Sequence, residues 1–371
     1  MHLWRVIEER HTLPASGVAL NPLCLSRTSQ SHPHHTARLT YHSHHDIALI
    51  KPITTMAKAL LITGATGKQG GSVIDALLSL NNDGSKFTIL ALTRDTTSPS
   101  AKRLASRGNG NIKLVQGDLN DVPALFEEAK RINSNRPIWG VYSVQVSLGP
   151  GVTVEGEITQ GKALIDGAIE AGIKHFVYSS VERGGDTASW DSPTPIPHFQ
   201  TKQVIEQHLR AVTAAGEAGG SMGWTILRPV AFMDNLEPGM KTKVFIAALW
   251  NHLGDRDKSM QWVATADIGV FAAKAFVSPA EWNHRAVGIA GDELTMEQMS
   301  AAFARATGSP APVTYWPLGS FLTYMVAEVG LMVGWFASHG YKADIAARRR
   351  DHPGMLTFEE WLPKKSGFPT K

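Results

Sequence analysis

From residue 57 onward, short apolar runs alternate with stretches in which apolar residues recur at helical spacing. Residues 59–63 (Ala-Leu-Leu-Ile-Thr) read as a strand buried on both faces. A glycine-rich turn follows, and Val73, Ile74, Leu77 and Leu78 then share one helix face. Residues 87–92 predict a second strand and 112–115 a third, with a short helix at 101–105 between them. The next helix, 122–129, has Asp121 placed as its cap. A fourth strand is expected over 138–144. Ile158, Leu164, Ile165, Ala168 and Ile169 again fall on one face, and Gly172 sits where that helix should stop. The fifth strand is 175–178, the following helix 204–212, and the sixth strand 224–227, ended by Arg228 and Pro229. This alternation predicts an α/β fold built on a doubly wound parallel sheet covered on both faces. Ligands on such sheets bind beyond the carboxyl ends of the strands, where strand order reverses.

The first 56 residues break the pattern. Histidines cluster as His32, His34, His35 and again as His42, His44, His45, with no helical or strand period around them, which predicts a disordered extension. Nothing fixes the geometry of these histidine pairs, so no metal site is assigned. A mitochondrial transit peptide is favoured by Arg5, Arg10, Arg27 and Arg38 and opposed by Glu8 and Glu9. The preferred reading is a poorly structured extension with Met56 as the working start. The expected division is therefore an extension (1–56), a sheet-bearing domain (57–236) and a smaller, mainly helical C-terminal part (237–371) interleaved with it.

Composition acts mostly by exclusion. The chain has 371 residues, 43% of them hydrophobic and 19% charged, which is ordinary for a soluble globular enzyme. A net charge of +3, evenly spread, leaves no footprint for direct nucleic-acid binding. The single cysteine, Cys24, allows neither a disulfide framework nor a cysteine metal site. A reducing compartment follows, the cytoplasm or alternatively the nucleus, with the mitochondrion only if the leader is a transit peptide. The longest apolar stretch, 318–336, contains Glu328 and several glycines, so it reads as a buried amphipathic helix and not as a membrane span. Arg348, Arg349 and Arg350 read as a solvated helix end.

Candidate chemistry begins at the turn Gly64-Ala65-Thr66-Gly67-Lys68-Gln69-Gly70-Gly71. Gly64 lets the chain turn off the strand, Gly67 lets the backbone approach a pyrophosphate, and Gly70 lets the helix pack close to the sheet. The helix N-terminus supplies free N–H groups and partial positive charge for phosphates. Placed between a strand and a helix, this is the dinucleotide-binding turn of a Rossmann sheet. Gly64, Thr66, Gly67, Lys68, Gln69 and Gly70 are its candidate contacts. The second strand ends Leu92-Thr93-Arg94, and Arg94 offers a fork suited to the 2′-phosphate of NADP(H), with Lys68 and Lys102 adding charge. Asp95 beside it keeps NAD open. Asp118 and Leu119, after the third strand, take the adenine edge or form a helix-capping turn.

These residues resemble the NmrA-like family, a branch of the atypical short-chain dehydrogenase/reductases. The resemblance rests on Thr63 to Gly71, Ala91-Leu92-Thr93-Arg94-Asp95 and Gln116-Gly117-Asp118-Leu119. It continues in His175-Phe176-Val177-Tyr178-Ser179-Ser180, Pro197 to Lys202, Ile226-Leu227-Arg228-Pro229, Phe232 to Leu236, Ala290 to Thr295 and Leu356 to Trp361. It covers nearly everything after Met56. It implies a Rossmann domain with a smaller, mostly helical C-terminal subdomain and a ligand cleft between them. The family includes NADP(H)-sensing regulators and oxidoreductases of fungal small-molecule pathways.

Ordinary short-chain dehydrogenases use Tyr-x-x-x-Lys and a serine at the end of the fifth strand. Here the pattern is His198-Phe199-Gln200-Thr201-Lys202, and the serine position falls at Ser180 or Val181. In one reading, Lys202 anchors the ribose and polarises a small-molecule substrate while His198 passes the proton, as an imidazole can near neutral pH. In the other, the pocket binds NADP(H) and reports its redox state to a regulatory protein partner, with Lys202 only a ribose ligand and His198 structural. Trp316, Phe321, Tyr324, Met325, Met332, Trp335 and Phe336 form an aromatic stretch expected mostly to build the small domain's core, with some members lining an apolar substrate cleft. The retained lysine and the large second part favour the oxidoreductase.

Overall fold

Alternate residues of the first strand divide between two cores. Leu60 and Ile62 enter one, Ala59 and Leu61 the other, and all four are buried, as a strand covered on both faces requires. The computed structural model describes residues 57–370 apart from 82–85, 109, 148, 150, 193 and 254–257. The leader, with its histidine pairs and Cys24, lies outside the described residues.

The first part runs β1 (Lys58–Ile62), α1 (Lys68–Ser79), β2 (Phe87–Thr93), α2 (Pro99–Ser106), β3 (Ile112–Gln116), α3 (Val122–Ile132) and β4 (Gly140–Ser143). It continues α4 (Val154–Glu170), β5 (His175–Ser179), α5 (Pro197–Val212), β6 (Gly223–Pro229) and β7 (Ala231–Phe232). After these come α6 (Met240–Leu253), β8 (Ser259–Val263), α7 (Thr265–Val277), α8 (Pro279–Trp282), β9 (Arg285–Ile289) and β10 (Asp292–Thr295). The chain ends with α9 (Met296–Thr307), α10 (Trp316–Met325), α11 (Ala327–Ser338), α12 (Ile345–Asp351) and α13 (Phe358–Lys365).

Seven strands form one parallel sheet in the order β3-β2-β1-β4-β5-β6-β9. The order reverses between β1 and β4, so the crevice at their carboxyl ends is the topological switch point. One face is covered by α1 and α7, which cross so closely that a Cβ on Gly269 would lie 2.3 Å from the Ser72 carbonyl oxygen. Phe126 of α3, Leu164 and Ile165 of α4, and Ile205 and Leu209 of α5 cover the other. A third core joins Phe199 of α5 to α6, α9, α11 and α13 through Ile246, Phe303, Trp335 and Trp361. Beside it lies a small sheet, β10-β8-β7.

The six expected strands are all present, and Asp121 caps α3 by accepting the Ala124 N–H at 3.1 Å. Three expectations are corrected. The main sheet has a seventh strand, β9, which lies far along the chain from its neighbour β6. The stretch 318–336 is not one buried amphipathic helix: α10 and α11 meet at a bend of 112°, and Trp316, Phe321 and Tyr324 are exposed while Trp335 and Phe336 are buried. Of the arginines at 348–350 only Arg350 is exposed: Arg348 is buried beside Asp351, and Arg349 donates to the carbonyls of Met355 and Gly291. Among the described residues no single helix is long and apolar enough to cross a membrane.

Candidate functional site

The turn between β1 and α1 needs glycine for steric reasons. Gly64 has φ of 58°, a left-handed conformation, and a Cβ there would meet Val144 Cγ1 at 2.8 Å. A Cβ on Gly70 would come within 2.3 Å of the Gly64 oxygen and 2.6 Å of the Thr63 oxygen, so only glycine lets α1 start this close to the strand. Gly67 is the N-cap of α1 in extended conformation, has no side chain to cap it, and donates its own N–H to the Gly64 oxygen at 2.9 Å. The first N–H groups of the helix are thus left for a ligand. Thr63 fixes the neighbouring strand end by donating its hydroxyl to the Val144 oxygen (3.0 Å) and accepting the Val144 N–H (2.8 Å).

This turn opens into a cleft of about 920 Å³ at the carboxyl ends of β1 to β4. Gly64, Thr66, Gly67, Arg94, Asp118 and Leu119 line it, bringing together most of the expected dinucleotide contacts. Two expected residues are engaged elsewhere. Lys68 donates to Glu237 Oε1 at 2.7 Å and to the Asp234 carbonyl at 2.5 Å. Gln69 Oε1 accepts from Ser179 Oγ (2.6 Å) and Tyr142 Oη (3.4 Å), which ties the turn to the ends of β4 and β5.

The end of β2 separates Arg94 from Asp95. Asp95 Oδ1 accepts both the Thr97 hydroxyl (2.6 Å) and the Thr97 N–H (2.8 Å), and these bonds hold its carboxyl below the ordinary carboxylate range. Arg94 has no ion pair among the described residues and faces the cleft beside Ser98 and Ser100. Asp118 lines the cleft and does not cap a helix: its Oδ1 accepts the Asn120 N–H at 2.9 Å in the turn ahead of α3, whose cap is Asp121.

At the other end of the cleft stands Glu157 of α4, which the sequence pattern did not single out. Its Oε1 accepts from Lys202 Nζ (2.9 Å) and Ser147 Oγ (2.8 Å), and its Oε2 from Thr201 Oγ1 (2.7 Å). Both partners of this ion pair are buried, and Gly161 lets α4 approach α5 closely enough to form it. One turn earlier on the same helix face, His198 Nδ1 lies 2.5 Å from Glu328 Oε1 of α11. Burial pushes the imidazole below its ordinary pKa, against the opposing pull of Glu328. The serine position is not a free hydroxyl in either register. Ser180 is buried and accepts from Arg183 Nη1 (3.3 Å), and Val181 is apolar.

Behind the end of β5 is a second charged group. Glu206 receives Arg183 Nη2 (2.7 Å), Arg228 Nη2 (2.7 Å) and Arg228 Nε (3.0 Å), and all three side chains are fully buried. The remaining guanidinium donors go to the carbonyls of Ser189, Val181 and Asp186, which pins the segment following β5. Among the described residues no group of three or more His, Cys, Asp or Glu could hold a metal ion.

The model of the NmrA-like family matches residues 56–362. The NmrA-like family domain-containing oxidoreductase lnaB of Aspergillus flavus is 28% identical over 269 residues, covering 68% of this chain and 74% of the relative. An NmrA-like family domain-containing protein of Dictyostelium discoideum is 24% identical, covering 83% and 98%. Among solved structures, the negative transcriptional regulator NmrA in complex with NADP superposes with a TM-score of 0.58 at 21% identity, over 84% of this chain and 95% of the other. The Citrobacter sp. triphenylmethane reductase complexed with NADP(H) superposes with a TM-score of 0.60 at 17% identity, over 83% and 99%.

Proposed function

Because the chain belongs to the NmrA-like family, we propose that it binds NADP(H) and acts as an oxidoreductase on a small apolar molecule, in the manner of fungal secondary-metabolite pathways. The observation that carries the cofactor reading is the contrast at the end of β2: both residues line the cleft, but Arg94 has no ion pair among the described residues while Asp95 Oδ1 is taken by the hydroxyl and N–H of Thr97. A free guanidinium beside two serine hydroxyls suits a phosphomonoester, whereas NAD would need a free carboxylate for its ribose. The glycine cradle, which a Cβ at position 70 would fill, fits a diphosphate against the start of α1.

When bound, the nicotinamide supplies or accepts hydride. The other tasks fall to this chain. The N–H groups at the start of α1 would hold the diphosphate, and Arg94, Ser98 and Ser100 would hold the 2′-phosphate. Glu157, which lines the cleft, would hold the Lys202 ammonium beside it. With its proton on Nδ1, directed at Glu328 Oε1, His198 would leave Nε2 to exchange a proton with substrate. Names of relatives support the redox reading: several are NmrA-like oxidoreductases, from Aspergillus flavus and Penicillium ochrochloron among others.

A second reading, a non-catalytic NADP(H) sensor acting on a protein partner, is favoured by one observation. Lys202 and His198 are each bound to a carboxylate of the protein itself. One set of experiments separates the two. Calorimetric titration with NADPH and NADH is followed by incubation with NADPH and a panel of ketones, enones and quinones. Oxidation of NADPH supports the enzyme, and tight binding without oxidation supports the sensor. Absence of affinity for either dinucleotide would overturn both.

A further inference from the structure

Helix α10 is built inside out. Its small and polar residues face α6: a Cβ on Gly319 would lie 2.6 Å from the Ala247 carbonyl carbon and the Ala248 nitrogen, and Asn251 Nδ2 donates to Ser320 Oγ at 3.0 Å. Its large residues face outward, with Trp316 63%, Phe321 59% and Tyr324 83% exposed, beside exposed Leu318 and, just before the helix, Tyr315. A helix on the surface of a soluble protein has the reverse arrangement. Residues 315–327 contain no charged side chain, and the first one after them, Glu328, is turned inward to His198. An apolar face of this kind is stable only where something other than water covers it.

Two features identify the cover. Tryptophan and tyrosine with a polar tip and an apolar body are the residues that settle at the headgroup level of a bilayer. At the start of α6, the helix on which α10 packs, Lys241 and Lys243 are exposed and form no salt bridge among the described residues. Glu237, whose carboxylate feels Lys241, is paired with Lys68. Lysine is depleted at protein–protein interfaces but attracted to anionic lipid. We propose that the outer face of α10 docks on an anionic membrane surface, with its aromatic side chains in the headgroup–acyl boundary and Lys241 and Lys243 against the headgroups. The docking is peripheral and requires no spanning helix.

Flotation of the full chain with vesicles tests this. The chain is expected to float with phosphatidylcholine–phosphatidylserine vesicles and far less with phosphatidylcholine alone. The combined Trp316→Ser, Phe321→Ser and Tyr324→Ser variant is expected to lose more than about tenfold in vesicle affinity. Each of Lys241→Gln and Lys243→Gln is expected to lose about fivefold. Asn251 also donates to the main-chain carbonyl of Trp316, a bond that survives the substitution. If the combined variant fails to fold by circular dichroism, brominated-lipid quenching replaces it: quenching in the unaltered chain that disappears in Trp316→Phe supports docking, and equal quenching overturns it. A chain that stays unbound with both vesicle compositions overturns the proposal. So does a dimer by light scattering that the aromatic changes split without any vesicle binding, which assigns the face to a second copy.

Discussion

Glu157 Oε1 stands 2.9 Å from Lys202 Nζ, joining α4 to α5 at the inner end of the cleft with both side chains almost closed to water. A carboxylate in this position neutralises a lysine that would otherwise be too costly to bury. Glu157→Gln leaves that ammonium without its counter-charge and is expected to cost about 3 kcal/mol of stability in urea unfolding. Glu157→Gln combined with Lys202→Met should cost clearly less than the single change, because no unpaired charge remains. Equal costs for the single and double variants would contradict a charge-balancing role.

Arg94→Ala is expected to weaken NADPH binding by about 2 kcal/mol, or roughly thirtyfold, while leaving NADH binding nearly unchanged. Titration of both dinucleotides into the variant measures this directly. Parallel losses for both would mean that Arg94 does not read the 2′-phosphate.

Two glycines of the same turn should behave differently. The Cβ of Gly67→Asp would sit 3.3 Å from the Gly64 oxygen, tight but tolerable, so the variant should fold and yet lose dinucleotide binding because its carboxylate faces the diphosphate. The Cβ of Gly70→Ala would meet that same oxygen at 2.3 Å, a backbone clash that α1 can relieve only by moving off the sheet. A loss of several kcal/mol, about 3 or more, is expected by thermal unfolding.

Burial lowers the imidazole of His175 to a pKa of about 4, helped by the nearby charge of Lys58. The folded state therefore holds this ring neutral, where its Nε2 lies 2.9 Å from Thr225 Oγ1 and the ring stacks on Trp139. The unfolded chain binds a proton near pH 6.5, so stability from this group is complete above that value and falls as pH drops toward 4. Between pH 7.5 and 5 the loss should be about 2 kcal/mol. His175→Phe should remove this component, read as a flatter dependence of the urea midpoint on pH in that window.

The six expected strands were legible because β1 to β6 are apolar runs bounded by turns, a signal contained in a few neighbouring residues. β9, Arg285–Ile289, carries only Val287 and Ile289 as large apolar residues, and its place beside β6 depends on everything between them. Lys202 was visible through its spacing from His198. Glu157 was not, because it lies among threonine and glycine on α4 and acquires its role only when Gly161 admits Ile205 of α5. The engagement of Lys68 with Glu237 was hidden for the same reason, since the two residues are far apart in the chain. The aromatic stretch from Trp316 to Phe336 suggests core along most of its length, yet Trp316, Phe321 and Tyr324 lie outside while Trp335 and Phe336 are buried. Apolar content reports what a helix can bury, and only packing against α6 decides which face is left outside.

The knot of Arg183, Glu206 and Arg228 has a consequence for how this chain can vary over time. Two cations share one anion in a place that water cannot reach, so losing any single member strands a charge, whereas a concerted exchange of all three for well-fitted apolar groups is tolerated far better. Single-step drift at these positions is closed off. Descendants of this sequence should keep the trio whole or replace it together, so the segment after β5 changes by rare jumps and not by gradual substitution.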